Sequence, residues 1–253
     1  MNILFTICGR GGSKGLKNKN LKKMNGVPLV YYTLAVIRLY QEAHPWDAVK
    51  VAVNTDSQEL FETIRSQKAV FDIQEVERKG ALAGDRAAKV DVIKDTYLKC
   101  RNQVAFDVVV DLDITSPMRR LKDVEEAVRA LKEDAGCDLV FSVVPARRSP
   151  YFNMVEKRQA YYRKICPSRY TARQQAPKAY ELNASIYAYN PEFLEREIEK
   201  TILDYNCGIV EMPDYLVLDI DSEEDFRRMS MLMEYFGRED RELARVMELA
   251  GNL

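Results

Sequence analysis

The alternation of strand-like and helical segments constrains the fold of this chain more than any other feature of its sequence. Apolar runs predict strands over residues 2–8, 49–54, 70–74, 106–112 and 139–144, and amphipathic patterns predict helices over residues 29–41, 59–67, 88–102 and 121–134. This alternation indicates a mostly parallel sheet with helices on both faces. Val108, Val109 and Val110 form an apolar run of the kind found in strands that are buried on both sides. We therefore predict a single α/β domain over residues 1–253.

The alternation is interrupted over residues 145–182, which are rich in Arg, Lys, Tyr, Gln and Pro and have no helical period. We interpret this segment as an inserted antiparallel subdomain that serves in dimerisation. Strands are predicted again over residues 184–189, 208–212 and 215–220. Ser222 precedes three acidic residues, a pattern typical of a capped helix start, and the charged tail beyond it predicts two helices.

A glycine-rich loop, Cys8-Gly9-Arg10-Gly11-Gly12-Ser13-Lys14-Gly15, follows the first predicted strand directly. Glycines allow the backbone N–H groups to approach a bulky anion closely. The loop is not a Walker A motif, because Lys14 is followed by Gly15, and it is not the dinucleotide fingerprint, which requires glycine at position 14. Residues 1–41 contain seven basic residues and no acidic one, although the whole chain has a net charge of −1. This asymmetry predicts a local site for a phosphate-type anion.

The composition excludes several functional classes. A net charge of −1 argues against a nucleic-acid-binding protein, and no apolar run approaches the roughly 20 residues that span a membrane. The first residues have no signal-peptide pattern, so we predict a cytoplasmic protein whose five scattered cysteines are reduced. His44, expected in a loop or at a helix end, is the single histidine, which excludes multi-histidine zinc sites. The chemistry must therefore depend on carboxylates, lysines, arginines, backbone amides and a metal ion.

Asp219 and Asp221 are two residues apart at the end of the predicted strand over residues 215–220, so both carboxylates should face the same side. Two carboxylates completed by triphosphate oxygens and water form a suitable Mg²⁺ site. The alternative interpretation is that Asp221 caps the helix that begins after Ser222.

Several motifs in order along the chain resemble the acylneuraminate cytidylyltransferase family, whose members make CMP-activated sialic acids and related nonulosonic acids. The motifs are residues 9–15, 17–21 and 26–29, Arg78 with residues 81–85, residues 115–117 and 172–175, Asn183, and residues 219–221. The resemblance implies a Rossmann-like nucleotide-diphospho-sugar transferase fold with a dimerisation arm. It also implies a homodimer that takes a nucleoside triphosphate, an acidic sugar and Mg²⁺.

The implied reaction is attack of the sugar's anomeric hydroxyl on the α-phosphorus, with pyrophosphate as the leaving group. The expected catalytic residues are Arg10, Lys14, Lys19 and Asp221, with Asp219 and Asp221 as metal ligands. The expected nucleotide-binding residues are Gly9, Arg10, Gly11, Gly12, Ser13, Lys14, Lys19, Asn20, Arg78 and Asp85.

The sugar-binding residues implied by the resemblance are Asp113, Thr115, Ser116, Arg173 and Asn183. A guanidinium engages a carboxylate bidentately, so Arg173 is expected to bind the sugar acid and to reach the partner's site in the dimer. The alternative is that Arg173 is a surface residue of the arm.

The chain departs from the family pattern at four places. Cys8-Gly9 precedes the loop arginine, Arg86 follows Asp85, Phe152 stands where some members have lysine, and Asp113 stands where glutamine is common. Because a carboxylate only accepts hydrogen bonds, Asp113 leaves open a guanylyltransferase that makes a GDP- or GMP-linked legionaminic-type sugar. A transferase for 3-deoxy-octulosonate or a sugar 1-phosphate, and a non-catalytic nucleotide-binding domain, are further alternatives.

Overall fold

The computed structural model describes residues 1–12, 15–84, 87–102 and 104–253. The strands of this part of the chain are β1 (Asn2–Cys8), β2 (Lys23–Met24), β3 (Val27–Pro28), β4 (Ala48–Thr55), β5 (Ile73–Glu77), β6 (Val108–Leu112), β7 (Leu139–Pro145), β8 (Val155–Arg158), β9 (Tyr161–Lys164), β10 (Tyr180–Tyr189) and β11 (Cys207–Glu211). The α-helices are α1 (Leu29–Ala43), α2 (Gln58–Arg65), α3 (Lys89–Cys100), α4 (Leu121–Glu133), α5 (Pro191–Glu195), α6 (Glu223–Glu239) and α7 (Arg241–Asn252).

A seven-stranded sheet in the order β11-β7-β10-β6-β1-β4-β5 forms the centre of the molecule. Each neighbouring pair is parallel except the two pairs made by β10, which runs antiparallel to both β6 and β7. The predicted mostly parallel α/β sheet is therefore confirmed. From β1 the chain continues to β4 and β5 and then returns to β6 on the other side of β1. The carboxyl ends of β1, β4 and β6 thus border the crevice in which open α/β sheets bind ligands.

Alternate residues of β1 enter two different cores. Ile3 and Phe5 pack in a core with residues of α1, α4, α6 and α7, whereas Leu4 packs on the opposite face with residues of α3 and α5. The period of two along the strand therefore gives a sheet covered by helices on both faces, as predicted.

The strand β10 contains an irregularity where it passes β7. Its register shifts between Leu182 and Tyr187, and Ala184 has a positive φ of 53°. Ser142 of β7 satisfies polar groups of β10 at this register shift. Its hydroxyl donates to Asn183 Oδ1 at 2.6 Å and accepts from the Ile186 amide at 2.9 Å. Irregularities of this kind redirect side chains next to functional sites.

The segment over residues 145–182 contains the antiparallel hairpin β8–β9 and a turn of 3₁₀ helix at Arg173–Gln175. Val155, Tyr161 and Tyr162 of the hairpin are exposed. The dimerisation role of the segment stays a prediction.

Three predicted strands differ from the structure by three residues or more, and one of them, predicted over residues 184–189, begins four residues earlier, at Tyr180 of β10. Residues 215–220 are not a strand, because Asp214–Leu216 forms a turn of 3₁₀ helix whose groups contact side chains of β10 and α6 instead of pairing with the backbone of a strand. The Leu216 carbonyl accepts from Asn183 Nδ2 at 3.0 Å, and the Tyr215 ring stacks on Phe236 of α6 with centroids 3.9 Å apart. The strand predicted at 70–74 begins only at Ile73, because the amides of Val70 and Phe71 complete a turn on the Gln67 carbonyl.

The predictions that the cysteines are unpaired and that His44 lies at a helix end are confirmed. All five cysteines are free thiols. His44 ends α1, where its ring stacks on Tyr40 and its Nε2 lies 2.9 Å from Glu125 Oε1. None of the helices in the described ranges is long and apolar enough to cross a membrane.

Candidate active site

The glycine loop starts at the carboxyl end of β1 and is held closely against its surroundings. The Gly9 amide donates to the Asn54 carbonyl at 3.1 Å. A Cβ at Gly9 would lie 2.8 Å from Ile114 Cδ1 and 2.9 Å from Leu60 Cδ2, so a larger residue there would displace these buried side chains. Asn20 Nδ2 donates to the Arg10 carbonyl at 2.9 Å and so stabilises the conformation of the loop.

A carboxylate that sequence reasoning missed holds the middle of the loop. The Gly11 amide donates to Asp56 Oδ1 at 2.6 Å, and Asp56 follows the end of β4, the strand next to β1. The predicted nucleotide residues Ser13 and Lys14, and likewise Asp85, lie outside the described residues. Gly12, also predicted, has open space where its Cβ would stand.

The far end of the loop meets residues 219–221, the acidic segment before α6. A Cβ at Gly15 would collide with the Asp221 carbonyl, so the two backbones are in direct contact. Lys19 Nζ lies 3.0 Å from Asp221 Oδ1 and also donates to the Ile220 carbonyl at 3.0 Å. The structure therefore brings the glycine loop and the predicted metal ligands to one place.

The two aspartates of the acidic segment have different environments. The Asp221 side chain is 78% exposed, whereas Asp219 Oδ1 is buried and has no hydrogen-bond partner among the described residues. Burial and the negative charges of Asp113 and Asp221 raise the pKa of Asp219, although a hydrogen bond from Thr115 and the Lys19 ammonium oppose this. The prediction that the two carboxylates face the same side because they end a strand was wrong, since these residues do not belong to a strand.

The donor set is nevertheless suited to a divalent cation. A buried carboxylate oxygen without a partner is costly, and a bound cation would satisfy it. Within the described ranges no three His, Cys, Asp or Glu side chains converge on a metal position. Mg²⁺ commonly binds to only one or two protein carboxylates and takes its other ligands from phosphate and water.

Arg78 lies in a cavity of about 260 Å³ between the loop and α3. Its Nε donates to Asn54 Oδ1 at 2.8 Å and its second guanidinium nitrogen donates to the Asn54 carbonyl at 3.1 Å, so the side chain is fixed and buried. The cavity is lined by Cys8, Arg10, Arg78, Leu82, Gly84, Ala87, Lys89, Val92 and Asp113. It thus joins predicted nucleotide-binding residues to Asp113.

Asp113 is paired with a lysine that sequence reasoning did not single out. Lys89 Nζ lies 2.6 Å from Asp113 Oδ2 and 2.9 Å from Asp111 Oδ2. Burial alone would lower the pKa of Lys89, but the two carboxylates raise it well above its usual value. Burial would likewise raise the pKa of Asp113, but Lys89 and Thr115 hold it below its usual range. Both groups are therefore ionised at neutral pH.

The predicted sugar residues Thr115, Ser116 and Asn183 are all buried. Thr115 donates to Asp113 through its amide and hydroxyl at 2.9 and 2.7 Å, and the Ser116 hydroxyl donates to the Asn183 carbonyl at 3.2 Å. The Asn183 side chain bonds to Ser142 and to the Leu216 carbonyl. These buried groups lie next to Asp113, and the Asn183 amide group is already hydrogen-bonded within the protein.

Arg173 lies on the arm, where it donates to the Ala146 carbonyl at 2.6 Å. It lines a separate pocket of about 380 Å³ together with residues that include Ala146, Tyr180 and Glu211. Its predicted approach to a partner's site stays a prediction.

A profile of cytidylyltransferases matches residues 4–249, which is nearly the whole chain. The chain belongs to the cytidylyltransferase family. The resemblance to acylneuraminate cytidylyltransferases and the prediction of a nucleotidyltransferase-type enzyme are thereby confirmed.

Three curated relatives align with most of this cytidylyltransferase. It is 34% identical over 239 residues to the post-translational flagellin modification protein B of Campylobacter coli, covering 92% of this chain and 95% of that protein. It is 35% identical to the CMP-N,N'-diacetyllegionaminic acid synthase of Campylobacter jejuni, covering 91% and 94%. It is 29% identical to an N-acylneuraminate cytidylyltransferase of Streptococcus agalactiae, covering 89% of this chain but 52% of that longer protein.

A solved structure supports the fold assignment. The CMP:2-keto-3-deoxy-manno-octonic acid synthetase, solved in complex with CTP, superposes with a TM-score of 0.63. The two chains are 17% identical, and the match covers 93% of this chain and 99% of that one. The predicted nucleotide-diphospho-sugar transferase fold is therefore confirmed.

A buried arginine of this cytidylyltransferase was also missed by sequence reasoning. Arg119 is fully buried and donates to Ser185 Oγ at 3.0 Å, to Thr33 Oγ1 at 3.2 Å, and to the carbonyls of Asp113 and Ser116. Burial lowers the pKa of Arg119 to about 10, against the opposing effect of nearby aspartates. Arg119 fixes the turn that carries Asp113, Thr115 and Ser116. Its position just after Pro117 and Met118 gave no signal, because an arginine there is normally read as exposed.

Proposed function

We propose that this cytidylyltransferase transfers CMP from CTP to the anomeric hydroxyl of a nonulosonic acid and releases pyrophosphate. The observation that carries the proposal is the convergence of the phosphate loop on the acidic segment. Gly15 packs against the Asp221 carbonyl and Lys19 pairs with the Asp221 carboxylate. A polyphosphate held by the loop would thus lie beside the carboxylates that suit a cation.

The sugar we propose is a sialic-acid-like acid of the legionaminic type. The relative named CMP-N,N'-diacetyllegionaminic acid synthase is 35% identical and aligns over 94% of its own length. The relative named N-acylneuraminate cytidylyltransferase is 29% identical. Both names describe CMP transfer to acidic nine-carbon sugars, and they support the same class of substrate for this chain.

The residues of the site have separate tasks in the proposed mechanism. The amides of the loop, with Arg10 and Lys19, would bind the phosphates that leave as pyrophosphate. Asp219 and Asp221 would hold Mg²⁺, which supplies neutralisation of phosphate charge and a lower pKa for the attacking hydroxyl. Arg119 and Thr115 hold the turn at Asp113 in place beneath the reacting groups. In-line transfer depends mainly on such positioning and charge neutralisation.

The guanine alternative has lost its structural argument. It depended on Asp113 as a free acceptor for guanine N–H groups. Asp113 Oδ1 already accepts from the amide and hydroxyl of Thr115, and Oδ2 is paired with Lys89 at 2.6 Å. We therefore retain CTP as the proposed donor.

The test is pyrophosphate release with CTP, GTP, ATP and UTP, each combined with a panel of nonulosonic acids and with 3-deoxy-octulosonate. We expect release with CTP and a nine-carbon acid, dependent on Mg²⁺ and abolished in Asp221→Ala. Glu234→Gln, which changes an exposed ion pair on α6, serves as the control that stays active. Turnover with another nucleotide, or full turnover in Asp221→Ala, would contradict the proposal.

We also propose that the enzyme is a homodimer in which Arg173 serves the partner's site. Arg173→Ala and Asp221→Ala should each be inactive alone. If Arg173 acts across the dimer, mixing the two variants with subunit exchange restores about a quarter of the wild-type sites. No recovery in a mixture proven to contain heterodimers would show that Arg173 acts within its own subunit.

A further inference from the structure

Both oxygens of the Asp113 carboxylate are engaged by the protein. Oδ1 accepts two hydrogen bonds from Thr115, at 2.9 and 2.7 Å, and Oδ2 is 2.6 Å from Lys89 Nζ. A carboxylate in this state has little capacity to accept from a sugar or a base. Asp113 is therefore poorly suited to the substrate contact that its sequence position suggested.

Lys89 has the opposite character. Its side chain is 32% exposed, whereas those of Asp111 and Asp113 are 0% and 19% exposed. The ammonium lies over the Tyr187 ring, 5.0 Å from the centroid. Two carboxylates and an aromatic face thus hold the cation from the protein side.

The accessible side of Lys89 lines the cavity that also contains Arg10 and Arg78. Most of the other lining residues come from the glycine loop or are Leu82, Gly84 and Ala87, which precede α3. In the proposed function these parts of the chain form the nucleotide half of the site. An ammonium only donates hydrogen bonds, so its ligand must present an acceptor atom, such as an oxygen of the nucleotide.

We propose that Lys89 is a nucleotide-binding residue whose ammonium donates to an oxygen of the bound CTP, and that Asp111 and Asp113 are positioning residues that hold it there. This inference rests on the proposed function, because it assumes that the cavity binds the nucleotide. The acceptor is either a phosphate oxygen or an oxygen of the cytidine moiety. The ammonium could donate to either oxygen, and titration with CTP, CMP and cytidine distinguishes the two.

The first experiment is calorimetric titration of the full-length protein with CTP, CMP and cytidine. A lost charge-assisted hydrogen bond typically weakens binding by about tenfold or more, so we expect Lys89→Gln to weaken CTP binding by at least that factor. Lys99→Gln, an exposed lysine on the same helix that pairs with the half-buried Asp95, is the matched control and should bind like the wild type. Loss for CTP and CMP with cytidine unchanged assigns a phosphate oxygen, whereas equal loss for all three assigns the cytidine moiety.

Asp113→Asn tests the positioning role. We expect weaker CTP binding with the KM for the sugar acid within twofold of the wild type, because Asp113 acts through Lys89. A raised KM for the sugar acid with unchanged CTP binding would restore Asp113 as a sugar contact and overturn this part of the inference.

A second measurement decides the case if Lys89→Gln fails to fold. In the wild-type protein, lysine acetylation followed by mass spectrometry measures the accessibility of Lys89 relative to Lys99. We expect CTP to protect Lys89 and to leave Lys99 unchanged. Acetylation of Lys89 that CTP does not alter would overturn the inference.

The inference and the proposed function fail in different ways. Nucleotide binding that is unaffected by Lys89→Gln overturns the inference alone. Tight CTP binding that requires Lys89, without transfer to any sugar acid, overturns the proposed function and leaves the inference standing. Binding of none of the four nucleoside triphosphates overturns both.

Discussion

Replacing Asp219 by asparagine should stabilise the metal-free protein and at the same time abolish transfer. Asp219 Oδ1 is buried without a hydrogen-bond partner in the described part of the chain. The nearby carboxylates of Asp113 and Asp221 repel its charge, and burial together with this repulsion raises its pKa. An asparagine keeps the size and shape of the side chain and removes the charge. Function and stability therefore make opposite demands at this position.

The expected size of the two effects follows from the environment of the side chain. An unsatisfied buried polar group costs roughly 1–3 kcal/mol, so removing the charge should raise the free energy of unfolding by about 1 kcal/mol. In a chain of 253 residues this raises Tm by about 2–4 °C. Loss of a metal ligand should cost several kcal/mol of transition-state stabilisation, which corresponds to a fall in kcat of about 100-fold or more.

The assay is thermal or urea unfolding in EDTA, followed by pyrophosphate release with saturating Mg²⁺. Asp221→Asn is the informative comparison, because the Asp221 carboxylate is exposed and paired with Lys19. It should lose activity as Asp219→Asn does, without any gain in stability. Glu234→Gln, in an exposed pair on α6, should change neither quantity.

The pH dependence gives a further check on the metal-free protein. The pKa of Asp219 is higher in the folded than in the unfolded state, so its charge destabilises the fold above the folded pKa. This penalty disappears as the pH falls through the folded pKa and below the unfolded value. The advantage of Asp219→Asn should therefore be greatest at neutral pH and vanish in acid. An asparagine variant that is less stable at neutral pH in EDTA would refute the reasoning.

Three other substitutions have expected outcomes. Gly15→Ala places a Cβ against the Asp221 carbonyl, and the displaced loop should lower kcat/KM by about 100-fold with little change in Tm. Arg119→Met leaves two backbone carbonyls and two hydroxyls without their buried donor, and urea unfolding should show a loss of about 3–5 kcal/mol. Ser222→Ala removes the hydroxyl that accepts from the Asp225 amide at 3.1 Å, and the same assay should show a loss of about 1 kcal/mol.

The parts of the fold that follow a single period could be predicted from the sequence. The strand β1, with Ile3, Phe5 and Leu4 alternating between two cores, has the predicted bounds, and α1 begins at the predicted residue. The prediction failed at residues 215–220, where an apolar run looked like a strand. Whether such a run joins the sheet depends on partners distant in sequence, here Asn183 and Phe236, and a local pattern does not contain them.

The candidate site could be predicted where a local sequence motif marks its residues. The glycine loop, Lys19 and Asp221 are brought together as the motifs implied, and Gly15 shows why glycine is needed. Lys89 and Arg119 could not be found in this way. Each looks like an ordinary charged residue of a helix or turn, and its significance comes from carboxylates and carbonyls supplied by other elements.

The charges at the carboxyl end of β6 connect these observations. Asp111, Asp113 and Asp219 lie close together, and two cations, Lys89 and Arg119, are packed among them. Lys89 pairs with Asp111 and Asp113, while Arg119 is bonded to neutral oxygens. Within the described residues, Asp219 is consequently the one of these three carboxylates that keeps a buried oxygen with neither a hydrogen bond nor an ion pair. Because Lys89 neutralises the other two carboxylates, a divalent cation would gain the most at Asp219, beside the loop that would bind the phosphates.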